Sequence, residues 1–413
     1  MTRRVVVTGL GLVTPLGNTA EETWSALLAG TSGAARIQRF DPSPLDVTFG
    51  CEVKNFDAAA YLDRKEIKRY DLFAQYAMAA TIQAVRDAGL EGQFPAKERT
   101  GVLIGSGIGG IATFEEQCKI FLTQGPSRVS PFFVPMFIPD MASGLVAMRF
   151  GLTGPNLCTV SACASSAHAI GEAFRMIQAC DADAMIAGGA EAAITPLSIA
   201  GFANMKALSS RNDDPAHASR PFDKTRDGFV LGDGAGIVVL ESLEHAERRG
   251  ARILGEVVGY GMSADAYHMT QPAPEGRGAQ QAMRAALADA KVEVTDIGYV
   301  NAHGTSTPHG DVAETQALKK VFGAHAYRLI FGSTKSMTGH LLGAAGGLEF
   351  AICVLVMNRG VIPPTINLKT PDPECDLDCA AQGAVHRRVD VAMSNSFGFG
   401  GHNVSLIAKR FDA

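Results

Sequence analysis

Short β-branched runs alternate with longer Ala- and Leu-rich runs along the whole chain, and this rhythm limits the fold more than any other feature. Strands are expected at 5–7, 101–104, 184–187, 237–240, 253–258, 298–300 and 329–331. Helices are expected at 71–88, 165–179, 278–290, 311–322 and 342–357. Such alternation, joined by glycine-rich connections, predicts an α/β architecture on largely parallel sheets. With 413 residues, 46% of them hydrophobic, the chain can bury a sizeable core. No low-complexity linker divides it. A boundary after Glu247-Arg-Arg-Gly250 gives two halves, 1–250 and 251–413, whose active residues would meet at a shared seam. No short-period repeat is evident.

The formal net charge of −5 removes a whole-chain basic field of the kind that holds nucleic acid through its phosphates. Met1-Thr-Arg-Arg-Val5 opens on an apolar run too short for a signal-peptide core and reads as the first strand. The longest apolar stretch, 341–357, is broken by glycines and Glu349, so a buried helix of a soluble protein is expected rather than a membrane span. Eight cysteines in mostly apolar settings point to a reduced, cytosolic protein without a disulfide framework. Cys375 and Cys379 lack the companion ligands of a zinc site and read as surface thiols.

Cys163 stands between a short strand-like piece and an Ala-rich helix. A thiol at a helix amino terminus feels the positive end of the macrodipole, which favours thiolate, and free backbone N–H groups there can hold an oxyanion. Taken alone, a cysteine in tight helix packing explains the segment better. His303, in Asn301-Ala-His303-Gly, and His340, in Met337-Thr-Gly-His340, each follow a strand, where ligands bind in α/β folds. His268 has a weaker setting. Asn395-Ser-Phe397-Gly-Phe399-Gly-Gly401 reads as a mobile loop able to swing aromatics over a pocket, or as a turn with packed phenylalanines. Gly105-Ser-Gly107-Ile-Gly-Gly110 satisfies G-x-G-x-x-G, yet the acidic residue expected some twenty positions on is replaced by Thr123-Gln-Gly-Pro-Ser127, which argues against a dinucleotide site.

Together these segments resemble one family, the β-ketoacyl-[acyl-carrier-protein] synthases of the thiolase-like fold. The resemblance runs in order through Val5-Val-Val-Thr-Gly9, Thr14-Pro-Leu-Gly17, Ser161-Ala-Cys163-Ala-Ser165, 219–236, Asn301-Ala-His303-Gly-Thr305, Lys335-Ser-Met-Thr-Gly-His340 and 395–401. It is strongest to the elongating type II enzymes, with Gly401-His402-Asn403 in place of their usual Gly-Thr-Asn. It implies two similar halves in an α-β-α-β-α stack, acting as a homodimer in the cytoplasm without membrane or nucleic acid. Cys163 would carry the acyl chain, with the N–H groups of Cys163 and Phe399 as its oxyanion hole and Phe399 as a gate. His303 and His340 would stabilise the malonyl thioester carbonyl during decarboxylation. Lys335 and Glu349 would form a buried pair beneath His340.

Substrate contacts fall, by the same resemblance, to Ile108 at the bottom of the acyl pocket, to Phe202 and Phe397, and to Thr270, Thr305 and Thr307 on the pantetheine arm. No cofactor is implied beyond a structural monovalent cation at Asn301, Glu349, Ser394 and Asn395, and substrates arrive on the phosphopantetheine of acyl carrier protein. That acidic partner would dock on Lys65, Lys68, Arg69, Arg128 and Lys206. A ketosynthase of a polyketide or other specialised pathway would share these motifs, whereas a non-catalytic partner subunit of this fold would lack the nucleophile.

Overall fold

The computed structural model describes residues 3–411. Ten strands make one mixed sheet: β1 Val5–Val13, β2 Thr100–Gly105, β3 Asn156–Leu157, β4 Ala184–Glu191, β5 Gly234–Ser242, β6 Gly255–Ala264, β7 Ile297–Asn301, β8 Ile330–Gly332, β9 Val391–Gly398 and β10 His402–Lys409. Their spatial order is β3-β2-β4-β5-β1-β6-β10-β9-β7-β8. From the centre outwards the two sides match. β1–β5 and β5–β4 are antiparallel and β4–β2 and β2–β3 parallel, just as β6–β10 and β10–β9 are antiparallel and β9–β7 and β7–β8 parallel. The expectation of largely parallel sheets is therefore corrected. On one side the reason is direct, because only three residues separate β9 from β10 and a turn that tight joins antiparallel strands. The expected mobile loop is this same hairpin.

β1, β4 and β5 are buried along their full length, which is why they read as continuous apolar runs instead of alternating ones. Two helices, α2 Ser165–Gln178 and α5 Ala345–Arg359, form the central layer and pack on each other and on both strand sets. Close approach there demands glycine: a β-carbon on Gly347 would lie 2.4 Å from Gly236 O. Helix α1, Leu72–Asp87, covers β1 and β5 from outside, while α3, Arg277–Ala290, backed by α4, Pro308–Phe322, covers β6 and β10. The result is a layered α/β architecture with separate apolar clusters on the two sides of each strand set.

Both central helices begin alike. Each follows a one-turn 3₁₀ segment, Ala162–Ala164 or Leu342–Ala344, and neither has a side-chain cap. Each turn opens on a non-glycine residue of positive φ, Ala162 at 50° and Leu342 at 46°. The amino-terminal N–H groups of α2 and α5 lie at the seam between the strand sets, where Gly347 N in the first turn of α5 donates to Ser166 Oγ of α2 at 2.8 Å.

The two ends of the sheet differ. β3 has a neighbour on one side only, and Leu157 and Val160 beside it are exposed. At the far end β8 is covered, with Phe331 N donating to Asp378 O at 2.7 Å. Cys375 and Cys379 pack into the α3-side cluster, so the surface placement expected for them is corrected. The segment Leu342–Arg359 is long and apolar enough to cross a membrane, but 89% of it is buried inside the molecule.

Candidate active site

A cavity of about 280 Å³ opens at the carboxyl ends of β7 and β9 and is lined by Cys163, His303, His340 and Phe399. Cys163 sits in the 3₁₀ turn ahead of α2 and is 7% exposed. Burial pushes its thiol up to about 11, opposed by N–H groups of Phe399 and Cys163 and by the charge of Lys335. The thiolate expected from the helix terminus is therefore corrected: in the resting site desolvation outweighs the dipole. Those two N–H groups lie close to the sulfur, beside where the oxygen of a bound thioester would sit.

His303 lies two residues beyond β7, and His340 lies between the short helix Lys335–Thr338 and the turn that leads into α5. Their rings meet edge to face with centroids 5.3 Å apart. Burial holds both imidazoles well below the usual histidine range, and the nearby Lys335 charge adds to the effect. Both are neutral at physiological pH. His303 Nδ1 and both ring nitrogens of His340 have no hydrogen-bond partner and are free for a substrate.

Lys335 and Glu349 form a fully buried ion pair below the site, as the resemblance implied. Beside it lies a group of shielded oxygens without partners: Glu349 Oε2, Asn301 Oδ1 and Ser394 Oγ. Asn301 and Ser394 are register partners on β7 and β9. Glu349 sits one turn before Cys353 on α5, whose thiol meets the Asn301 backbone. An orphaned all-oxygen set with one carboxylate fits a hard cation. Asn395 does not share this fit through its side chain, since its Oδ1 accepts from Ser405 Oγ at 2.8 Å and its Nδ2 donates to Glu314 at 3.3 Å.

Phe202, Thr270, Thr305, Thr307 and Phe397 all line the cavity. Ile108 does not; it packs behind it, in the apolar cluster shared by Cys163, Leu342 and Phe202. Lys206 reaches the cavity wall. Lys65, Lys68 and Arg69 stand exposed on the helix Arg64–Arg69, away from it, and Arg128 is exposed on its own short turn. His268 is also exposed, its Nδ1 accepting from Thr270 N at 3.1 Å.

Two residues of the site escaped the sequence reading. Glu314 on α4 accepts from His303 N at 2.9 Å and Gly304 N at 2.8 Å and so fixes the backbone that carries His303. Its signal was a carboxylate on the apolar face of the helix following the histidine. Phe229 packs edge to face on His340 with centroids 5.3 Å apart. It lies inside the 219–236 run already singled out, with nothing local to mark it.

The sequence matches the amino-terminal domain of β-ketoacyl synthases over residues 2–246 and their carboxyl-terminal domain over 254–369. The chain belongs to the β-ketoacyl synthase family. A 3-oxoacyl-[acyl-carrier-protein] synthase 2 of Synechocystis is 56% identical over 99% of this chain and 98% of its own length. Among solved structures, a β-ketoacyl synthase from Burkholderia phymatum is 39% identical, with a TM-score of 0.93 over 99% of this chain and 100% of its own. A type II polyketide ketosynthase, solved in complex with its acyl-carrier protein, is 34% identical with a TM-score of 0.91 over the full length of both chains. The thiolase-like, layered α/β fold of this family is the one described above.

Proposed function

We propose that this β-ketoacyl synthase joins an acyl group, held as a thioester on Cys163, to malonyl-[acyl-carrier-protein], giving 3-oxoacyl-[acyl-carrier-protein] and carbon dioxide in fatty-acid elongation. One observation carries the reading: a thiol with the N–H groups of Phe399 and Cys163 beside it shares a cavity with two neutral imidazoles, of which His303 Nδ1 and both nitrogens of His340 have no hydrogen-bond partner.

In the first half of the cycle the Cys163 sulfur attacks the acyl thioester and its proton passes to an unpartnered imidazole nitrogen. The tetrahedral oxyanion forms against the N–H groups of Cys163 and Phe399. Its collapse expels the pantetheine thiolate, which takes that proton. Malonyl thioester then places its carbonyl oxygen against His303 and His340. The bond to the carboxylate breaks, carbon dioxide leaves, and the electron pair enters the thioester as an enolate. Neutral N–H donors in a dry site stabilise that charge without quenching the carbanion. The enolate carbon attacks the acyl-Cys163 carbonyl, and the sulfur departs as thiolate and takes one proton from solvent, the proton that the overall decarboxylative reaction consumes.

Burial keeps both rings neutral, and Lys335, with its charge close to them, adds to that effect. Asn301, Glu349 and Ser394 would hold a monovalent cation, which offsets the Glu349 charge when bound. Thr270, Thr305 and Thr307 suit the amides of a pantetheine arm, and Ile108 closes the acyl end. Lys65, Lys68, Arg69, Arg128 and Lys206 are the cations we assign to the acidic carrier protein. A second copy would pair on β3, whose free edge and exposed Leu157 and Val160 need cover. The two chain halves meet after Gly250. Free cysteines throughout the described residues suit a reducing cytoplasm.

The test incubates the enzyme with acyl-carrier protein and malonyl-carrier protein labelled in its free carboxyl carbon. Labelled carbon dioxide and a 3-oxoacyl product are expected together; the absence of both would overturn the reading.

A further inference from the structure

One buried carboxylate has no role assigned above beyond adding its charge to the burial that raises the Cys163 thiol. Glu191, the last residue of β4, is 0% exposed. Its Oε1 accepts from Ser106 Oγ at 2.9 Å and Ile108 N at 3.2 Å. Its Oε2 accepts from Gly107 N at 2.7 Å and Gly343 N at 2.9 Å. Ser106 Oγ accepts in turn from Gly109 N at 3.0 Å. The loop that imitates a dinucleotide motif thus cradles a carboxylate of its own chain. Three of the four donors come from that loop. The fourth belongs to the turn Leu342–Ala344, which follows His340 directly.

These donors flank the acyl end of the site, because Ile108 and Leu342 share one apolar cluster with Cys163 and Phe202. There is little slack in the arrangement. A β-carbon on Gly107 would lie 2.8 Å from Glu191 Oε2, and one on Gly343 would lie 2.6 Å from it. The matched strand order makes the same point from another direction. Glu191 ends β4 as Gly398 ends its counterpart β9. Gly398 has no side chain and lies against Cys163 N, leaving that N–H to a substrate, whereas Glu191 fills the corresponding position at Gly343 N.

We propose that Glu191 is a positioning residue for long acyl chains, tying the Ile108 loop to the turn beside His340 so that a chain long enough to reach Ile108 packs against an ordered wall and is bound by it. This deepens the condensation reading and rests on it. Glutamine at this position keeps the shape but turns one acceptor oxygen into an N–H₂ donor. With the N–H₂ on the Oε1 side the Ser106 hydroxyl can accept from it, but Ile108 N then faces another donor, and the loop loses the bond that holds Ile108.

The experiment compares purified wild-type enzyme with Glu191→Gln, using butyryl- and dodecanoyl-carrier protein at fixed malonyl-carrier protein. The expected result is a KM for the dodecanoyl acceptor raised roughly tenfold, about the net worth of one hydrogen bond, with kcat on the butyryl acceptor within about twofold of wild type. An equal change for both acceptors, or no change for either, would overturn the proposal. If Glu191→Gln does not fold, Ser106→Ala decides, since it removes a single donor. A selective weakening of the long acceptor by roughly threefold supports the clamp, and a uniform effect or none sinks it. Failure of wild-type enzyme to make 3-oxoacyl product from either acceptor is a separate result, and it strikes the condensation reading itself.

Discussion

The turn around Cys163 and the turn around Gly343 share a backbone and have opposite fates. Both open on a residue of positive φ, run through one 3₁₀ turn and launch an uncapped central helix. At the first, the N–H groups face an open cavity and the side chain is a thiol. At the second, a glycine is pressed so close that a β-carbon would lie 2.2 Å from Gly107 N, and its N–H is taken by Glu191. An anion-binding turn is therefore built twice. Chemistry arises only where the neighbouring strand ends in glycine and leaves room for a substrate.

The largest effect should come from emptying the reactive turn. Cys163→Ala is expected to lower condensation by at least about 10⁴-fold while malonyl decarboxylation persists, since the histidines are untouched; product assay and release of labelled carbon dioxide separate the two steps. On the other side, the segment leading into the silent turn carries Lys335. Lys335→Ala strands the buried Glu349 charge and should cost about 3–5 kcal/mol of stability, read from the urea midpoint.

His303→Ala and His340→Ala should each reduce kcat by about 10²–10³, the typical loss of one oxyanion donor. They also carry a pH signature. An unfolded histidine takes up a proton below about pH 6.5, whereas the folded rings, held well below that range, do not. Stability therefore falls as pH drops through and below about 6.5, by up to roughly 1.4 kcal/mol per unit for each ring. Either substitution should flatten that slope in urea titrations at stepped pH.

Gly343→Ala tests the silent turn alone. The added methyl should destabilise by about 1–3 kcal/mol, whereas removing the Cys163 side-chain sulfur should barely move the melting temperature. The smallest effect concerns neither turn. Charge reversal at Lys65 and Arg69 should raise the KM for acyl-carrier protein several-fold and steepen no other parameter, as measured with a small pantetheine thioester for comparison.

Much of this was legible before any coordinates. The ordered motifs identified the family, and strand-end placement singled out His303 and His340. Local chemistry failed where burial or distant pairing decides. The helix-terminus argument made Cys163 a thiolate because a sequence does not show how completely the thiol is enclosed. Glu191 and Glu314 were missed because their partners are backbone N–H groups up to 152 residues away. Asn395 belongs to the expected cation set by its place in the strand, and the sequence does not show that Ser405 Oγ already donates to its Oδ1. The segment 399–401 reads in sequence either as a mobile loop or as a turn with packed phenylalanines, because glycines signal freedom locally while the partners of β9 and β10 that make it a hairpin turn are not visible there.

The unequal ends of the sheet bear on how many chains can assemble. A free edge recruits another strand, and a sheet with two free edges could add copies without limit. Here one edge is open at β3 and the other is covered at β8, where Asp378 accepts from Phe331. Two copies meeting edge to edge through β3 would use up the open end of each ten-stranded sheet, and growth along that sheet would stop at a closed pair instead of running on into a fibre.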